Sequence, residues 1–134
     1  MTTSSGLILF AHGARDPRWA APFEAVAERV RALRPGVAVR LAFLEIMSPS
    51  LPEAGAELAR AGCGRIEILP LFLGAGGHVR RDLPLLLAAL QAAHPALQLR
   101  LHPAVGEIAG VVTAMAAAAL ATLEPEQEIE GPGA

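Results

Sequence analysis

The chain has 134 residues, of which 53% are hydrophobic, and a formal net charge of −2 at pH 7. This length suits one compact domain that buries about two thirds of the surface of the unfolded chain. All 11 basic residues are arginine, but the overall charge gives no basic field for a nucleic-acid backbone, so we expect no nucleic-acid partner.

Cysteine usage and the termini bear on the cellular compartment. The single cysteine, Cys63, cannot form an intramolecular disulfide. Residues 1–5 lack the positive charge that opens a secretory signal. The longest weakly polar segment, residues 109–123, is shorter than the roughly 20 apolar residues that cross a bilayer. These features predict a cytoplasmic protein with no membrane segment.

Short β-rich runs alternate with amphipathic segments along the chain, which is typical of repeated βαβ units around a parallel sheet. The predicted strands are residues 7–10, 37–44, 65–71 and 97–101. We expect a single α/β domain over residues 6–123. The flanking residues 1–5 are predicted to be disordered, and the acidic residues 124–134 to be a flexible tail.

The first two predicted helices follow the first two strands. The first covers residues 20–34, and the second begins after Ser50, which can form a capping box with Glu53. Gly62 or Gly64 is expected to end the second helix. The apolar face predicted for the first helix comprises Phe23, Val26, Ala27, Val30 and Leu33.

Two further helices are predicted in the second half of the chain. The third begins near Arg80, ends before His94, and buries a leucine face made of Leu83, Leu86, Leu87 and Leu90. The last covers residues 108–123, where small alanines allow close packing and an inter-subunit contact is one use. Its apolar face comprises Ile108, Val112, Met115 and Ala119.

Chemically active side chains stand at the ends of three predicted strands. His12 ends the first apolar run, Glu45 ends the second, and His78 lies in a glycine-rich loop after the third. The carboxyl ends of neighbouring parallel strands meet at one edge of a sheet, where open α/β folds bind their ligands. Two imidazoles and a carboxylate suit a divalent first-row metal with open coordination positions, or metal-free acid–base chemistry. The lone cysteine excludes a Cys-rich structural zinc site.

Other histidine and glycine features are less specific. His94 and His102 each precede a proline and are interpreted as loop or strand-edge residues. The glycine-rich loop at residues 74–78 lacks the Lys-Ser/Thr ending of a P-loop. Phosphohistidine enzymes carry an arginine before their His-Gly pair, whereas this chain has Ala11. A metal carrier without enzymatic activity, and a phosphate-handling enzyme, stay open as alternatives on this reasoning.

Several separate motifs resemble one protein family. They are residues 10–18 (Phe-Ala-His-Gly-Ala-Arg-Asp-Pro-Arg), 43–45 (Phe-Leu-Glu), 49–53 (Pro-Ser-Leu-Pro-Glu), and 70–73 with 77–79 and 82–84. In collinear order over residues 6–120, they are similar to the short class II tetrapyrrole chelatases, which are the CbiX-like sirohydrochlorin chelatases.

The resemblance implies a chelatase-like three-layer sandwich, with a four-stranded parallel sheet and helices on both faces. It also implies a homodimer that inserts a divalent metal into sirohydrochlorin without ATP or a nucleotide. Cobalt is the first expectation for the metal, with iron next and nickel a further option. The product leads to cobalamin or siroheme.

The resemblance assigns residues as well. It implies that His12 and His78 are catalytic and that both bind the metal together with Glu45. Ala14 departs from the serine that the family commonly has after His-Gly. The carboxylates of sirohydrochlorin would be bound by guanidinium and loop groups, and the candidate substrate-binding residues are Arg15, Arg18, Gly76, Gly77, Arg80 and Arg81.

Overall fold

The structure of the chain, a computed structural model, describes residues 4–74 and 76–124, with the backbone alone for His78. A four-stranded sheet runs through it in the order β2-β1-β3-β4, and every neighbouring pair is parallel. The predicted α/β fold with a four-stranded parallel sheet is thus confirmed. The strands are β1 (Ser4–Ala11), β2 (Ala38–Phe43), β3 (Cys63–Pro70) and β4 (Gln98–Leu101).

Helices connect the strands and cover both faces of the sheet. α2 and α3 contribute to the core on one face, and α1 packs against the other. Two short 3₁₀ turns, Pro17–Ala20 and Val105–Glu107, precede α1 and α4. The helices are α1 (Ala21–Leu33), α2 (Leu51–Arg60), α3 (Gly77–Ala93) and α4 (Ala109–Ala121).

The core is divided between the two faces by the alternation of side chains along each strand. On one face, Ile8 and Phe10 of β1 pack with Leu58 of α2 and Leu83 of α3. On the other face, Leu9 of β1 packs with Ala27 of α1. Consecutive residues of β1 therefore belong to different clusters, which explains why this central strand reads as a continuous apolar run.

The capping box predicted at the start of α2 is confirmed. The Ser50 backbone N–H donates to Glu53 Oε1 at 2.9 Å, and the Glu53 backbone N–H donates to Ser50 Oγ at 3.2 Å. The hydrogen bond from the Ser50 backbone, and after it the Ser50 side chain, holds the pKa of the Glu53 carboxyl below its usual value. Helix α2 ends at Arg60, two residues before Gly62, which has a φ of +95°.

Helices α1 and α3 differ from expectation in their details. Val26 is exposed and Leu33 is 74% exposed, so the apolar face predicted for α1 was too wide. Only Ala27 of that helix is fully buried, and the strands that α1 contacts most are β1 and β2. Helix α3 begins at Gly77, three residues before the expected start, and buries Leu83 and Leu90 as predicted.

The two ends of the domain differ from expectation too. Strand β1 begins at Ser4, and Ser5 is paired with Arg65. Residues 4 and 5 therefore belong to the sheet, and the prediction that they are disordered was wrong. Sheet pairing on the β3 side orders them. Residues 1–3 and 125–134, where a disordered start and a flexible tail were predicted, lie outside the described residues.

Helix α4 is apolar in sequence yet contributes nothing to the core. It contacts the 3₁₀ turn that precedes it, and none of its residues is buried. Val112 and Met115 of its predicted packing face are exposed. The face exists in sequence, but within the described part of the chain nothing covers it. No helix in that part of the chain has the length and hydrophobicity needed to span a membrane.

Strand β2 forms one edge of the sheet. Its Val39 carbonyl oxygen accepts two hydrogen bonds, from Arg31 Nη2 at 2.9 Å and from Arg40 Nη1 at 3.0 Å. The Arg40 guanidinium also pairs with Glu57 of α2, with Nε 3.2 Å from Oε2. Two guanidinium groups therefore bind a backbone carbonyl at this edge, which hinders its pairing with another strand.

Candidate functional site

His12 and Glu45 are brought together at the carboxyl edge of the sheet. The backbone pairing of β1 with β2 continues past the ends of both strands. The Leu44 N–H donates to the Ala11 carbonyl at 2.9 Å, and the Glu45 N–H donates to the His12 carbonyl at 3.1 Å. The predicted convergence of these two residues is therefore present in the backbone, independently of how their side chains turn.

Gly13 makes this close approach possible. Its φ is +103°, and a Cβ atom built on it would lie 1.9 Å from the carbonyl oxygen of Glu45. Any side chain at position 13 would displace the loop after β2, and the backbone conformation itself disfavours other residues. The glycine after His12 is a steric requirement of the site.

The imidazole of His12 is half-buried against an aromatic wall. Its ring centroid lies 6.0 Å from that of Phe72 in an edge-on arrangement, and Phe72 contacts Phe10 in the same way at 5.9 Å. The Nδ1 atom of His12 is buried and has no hydrogen-bond partner among the described residues. An unpaired buried polar atom costs about 1–3 kcal/mol, so a functional reason such as a bound ion or a proton transfer is expected.

The other two members of the predicted ligand set are less enclosed. Glu45 is exposed, so water solvates its carboxylate. The backbone of His78 lies in the first turn of α3, directly after Gly77. Among the described side chains, which do not include that of His78, no group of three His, Cys, Asp or Glu residues could hold a metal ion. The three-residue ligand set stays a prediction.

The four candidate arginines are all exposed and lie near the carboxyl edge. Arg18 is engaged by Asp16, with Nη2 2.9 Å from Oδ2. This hydrogen-bonded pair lowers the pKa of the Asp16 carboxyl and raises that of the Arg18 guanidinium. Arg81 Nε donates to the Gly77 carbonyl at 3.4 Å. Arg15 and Arg80 have no such contact among the described residues.

A cavity of about 210 Å³ lies between α3 and the ends of β3 and β4. Phe72, Arg80, Leu83 and His102 are among the residues that line it. His102 follows β4, and its Nε2 lies 3.1 Å from Glu67 Oε1, in agreement with its interpretation as a strand-edge residue. Phe72 lines this cavity and also contacts His12, so it separates the two.

Sequence reasoning did not single out Phe72. Its role depends on contacts with residues some 60 positions away, which the local pattern does not encode. An aromatic residue two positions after a strand end, next to a glycine-rich loop, was the available signal.

Replacing Gly13 with alanine is expected to destabilise the protein by about 2 kcal/mol or more, because strain at positive φ adds to the clash with the Glu45 carbonyl. Urea unfolding followed by circular dichroism measures the change. Gly36→Ala is the matched control, since a Cβ there meets nothing within 4 Å. Equal stability of the two variants would show that the Glu45 loop moves freely.

Sequence comparison identifies relatives of this chain. A sirohydrochlorin cobaltochelatase from Methanopyrus kandleri is 33% identical over 81 residues, which are 60% of this chain and 57% of that protein. The chain therefore spans less than two thirds of that relative.

Two solved structures share the fold. A cobalamin (vitamin B12) biosynthesis CbiX protein from Marinobacter aquaeolei VT8 superposes with a TM-score of 0.78 and 31% identity, over 89% of this chain and 97% of that one. The sirohydrochlorin chelatase SirB from Bacillus subtilis subspecies spizizenii, in complex with cobalt, gives 0.77 at 20% identity, over 89% of this chain and 51% of that one. The family model CbiX matches residues 6–121. This chain is a member of the CbiX family.

Proposed function

We propose that this protein inserts a divalent metal into sirohydrochlorin without ATP, with cobalt as the first candidate and iron next. The observation that carries the proposal is the buried, unpartnered Nδ1 of His12 beside the backbone-fixed Glu45. The relative from Methanopyrus kandleri is named for the same reaction with cobalt. Cobalamin or siroheme synthesis in the cytoplasm is the setting that we propose.

The reaction makes two demands that imidazoles and a carboxylate can meet. Two pyrrole protons leave the macrocycle, and a partly desolvated cation reaches its four nitrogens. A neutral imidazole has a pKa of roughly 6.5 in its unperturbed state and accepts a proton at physiological pH. In this proposal His12 and His78 share the two tasks of holding the metal and accepting protons. Glu45 completes the coordination of the metal or orients an imidazole.

The aromatic wall beside His12 supports this role. Phe72 and Phe10 pack edge-on in series behind the imidazole, so one side of the ring faces apolar groups in place of water. Electrostatic contacts are stronger in such surroundings, and a cation held there keeps fewer waters to remove before insertion.

Recognition of the macrocycle is assigned to groups on either side of His12. Sirohydrochlorin carries acetate and propionate substituents, and exposed guanidinium groups bind carboxylates with two parallel hydrogen bonds. Arg80, at the mouth of the cavity beside Phe72, is the best placed. Arg18 contributes through the guanidinium N–H groups that do not bind Asp16. Arg15, Arg81 and the backbone N–H groups of Gly76 and Gly77 complete the proposed set.

A homodimer is proposed as the working unit. Helix α4 exposes Val112, Met115 and Leu120, and none of its residues is buried. A stable interface between proteins needs about 800 Å² from each partner, and burial of the exposed apolar side chains of α4 would contribute to that area.

The His12→Ala variant is expected to insert Co²⁺ into sirohydrochlorin at least about 100-fold more slowly than the wild-type protein, because a general base or metal ligand is lost. The absorbance of the macrocycle reports insertion, with protein-free mixtures to subtract the spontaneous reaction. His94→Ala is the matched control, since His94 follows the C-terminal end of α3, whereas His78 lies in the first turn of that helix. Wild-type speed in His12→Ala would refute the assignment, and Co²⁺ binding without insertion by the wild-type protein would favour a metal carrier.

Replacing Arg80 and Arg81 together with alanine should weaken binding of metal-free sirohydrochlorin by roughly 10-fold or more, the loss expected for charge-assisted hydrogen bonds. Binding of Co²⁺ alone should not change. The matched control replaces Arg34 and Arg60, two exposed arginines at the far side of the domain. Arg34 follows α1, and Arg60 is the last residue of α2. Equal losses for metal and macrocycle would contradict a role in substrate binding.

Sedimentation equilibrium should give twice the chain mass of 13.9 kDa. A Val112→Glu/Met115→Glu variant should sediment as a monomer, because charge on the exposed face of α4 opposes its burial. A wild-type monomer at micromolar concentration would rule out the dimer, and an unaltered dimer in the variant would exclude α4 from the interface.

A further inference from the structure

Ile46, in the loop after β2, has an unusual backbone conformation. Its φ is +70°, and it is the one residue other than glycine with positive φ among those described. The Met47 N–H donates to the Glu45 carbonyl at 2.7 Å, which closes a three-residue γ-turn around Ile46. The γ-turn with positive φ is rare and strained, and a β-branched residue is poorly suited to it.

The surrounding backbone holds this strain in place. On one side, the Glu45 N–H is bonded to His12, and the Glu45 carbonyl lies against Gly13. On the other side, the Phe43 N–H donates to the Pro49 carbonyl at 2.9 Å, which closes the loop. Packing does not explain the choice of isoleucine, because the residue is 64% exposed. Strain kept without a gain in packing points to a function for the side chain.

A second loop presents an aliphatic side chain in a comparable way. Leu73 lies three residues after β3, as Ile46 lies three residues after β2, and it is 70% exposed. A Cβ atom on Gly106 would lie 2.0 Å from the Leu73 carbonyl oxygen, so a glycine supports this loop as Gly13 supports the other. The Gly106 N–H also donates to the Phe72 carbonyl at 3.0 Å.

These two loops flank the strand that leads to His12. In the sheet, β2 and β3 are the two neighbours of β1, so Ile46 and Leu73 stand on either side of the line along which His12 emerges. Ligand sites combine apolar walls with a few polar groups that fix orientation. A flat macrocycle centred on a metal-binding histidine has two broad apolar faces, and rigid aliphatic side chains beside that histidine suit them.

The geometry points to Ile46 and Leu73 as specificity-determining residues that bind the faces of the tetrapyrrole ring on the two sides of His12. This inference rests on the proposed function and adds the residues that recognise the ring itself, apart from its metal and its carboxylates. The strained turn is the means by which Ile46 is held out towards the ligand.

The test uses Ile46→Gly and Leu73→Ala, with Leu33→Ala as the matched control because Leu33 is 74% exposed at the far end of α1. Quenching of Trp19, the only tryptophan, by metal-free sirohydrochlorin gives the dissociation constant. Each test variant should bind the macrocycle roughly 10-fold more weakly, the loss expected when an aliphatic contact is removed. Co²⁺ binding should be unchanged, and the control should bind both as the wild type does.

Stability separates this role from a structural one. Glycine relieves the strain at φ +70°, so the urea midpoint of Ile46→Gly should not fall even though macrocycle binding weakens. A lower midpoint together with weaker binding would mean that Ile46 only stabilises the loop. Unchanged macrocycle affinity in both variants would overturn the inference and leave the proposed function intact. Failure of the wild-type protein to bind sirohydrochlorin would refute both.

Discussion

The contact between the Gly13 backbone and the Glu45 carbonyl is the constraint from which the rest of the site follows. It is possible only because position 13 has no side chain and takes a positive φ. With that contact made, two further hydrogen bonds extend the pairing of β1 with β2 beyond the sheet. Backbone bonds therefore set the spacing of the His12 and Glu45 backbones.

Much of this arrangement could be predicted from the sequence. Apolar runs separated by amphipathic segments predicted the parallel sheet, and Ser50 with Glu53 marked the start of α2 to the residue. Local chemistry decides these features, so local patterns reveal them. The proximity of His12 and Glu45 was also predictable, because parallel strands end at a common edge whatever their exact order.

Other features depended on contacts that no local pattern encodes. The aromatic wall behind His12 joins Phe72, in the loop after β3, to Phe10 of β1. Leu33 is exposed at the last residue of α1, and periodicity does not report how far the sheet extends beneath a helix. The positive φ of Ile46 could not be predicted, since isoleucine favours strands, and its conformation is imposed by the bonds on either side of it.

The two guanidinium groups on the Val39 carbonyl constrain how copies of this chain can associate. An open sheet edge invites another strand to continue the ladder, and that outcome leads to uncontrolled growth. Here the Val39 carbonyl at the β2 edge already accepts hydrogen bonds from Arg31 and Arg40, so it is not free to pair with another strand. At the other edge of the sheet, β4 has only four residues, which offers few backbone groups for pairing with another strand. Extension of the sheet by a strand of a second copy is thereby disfavoured at both edges.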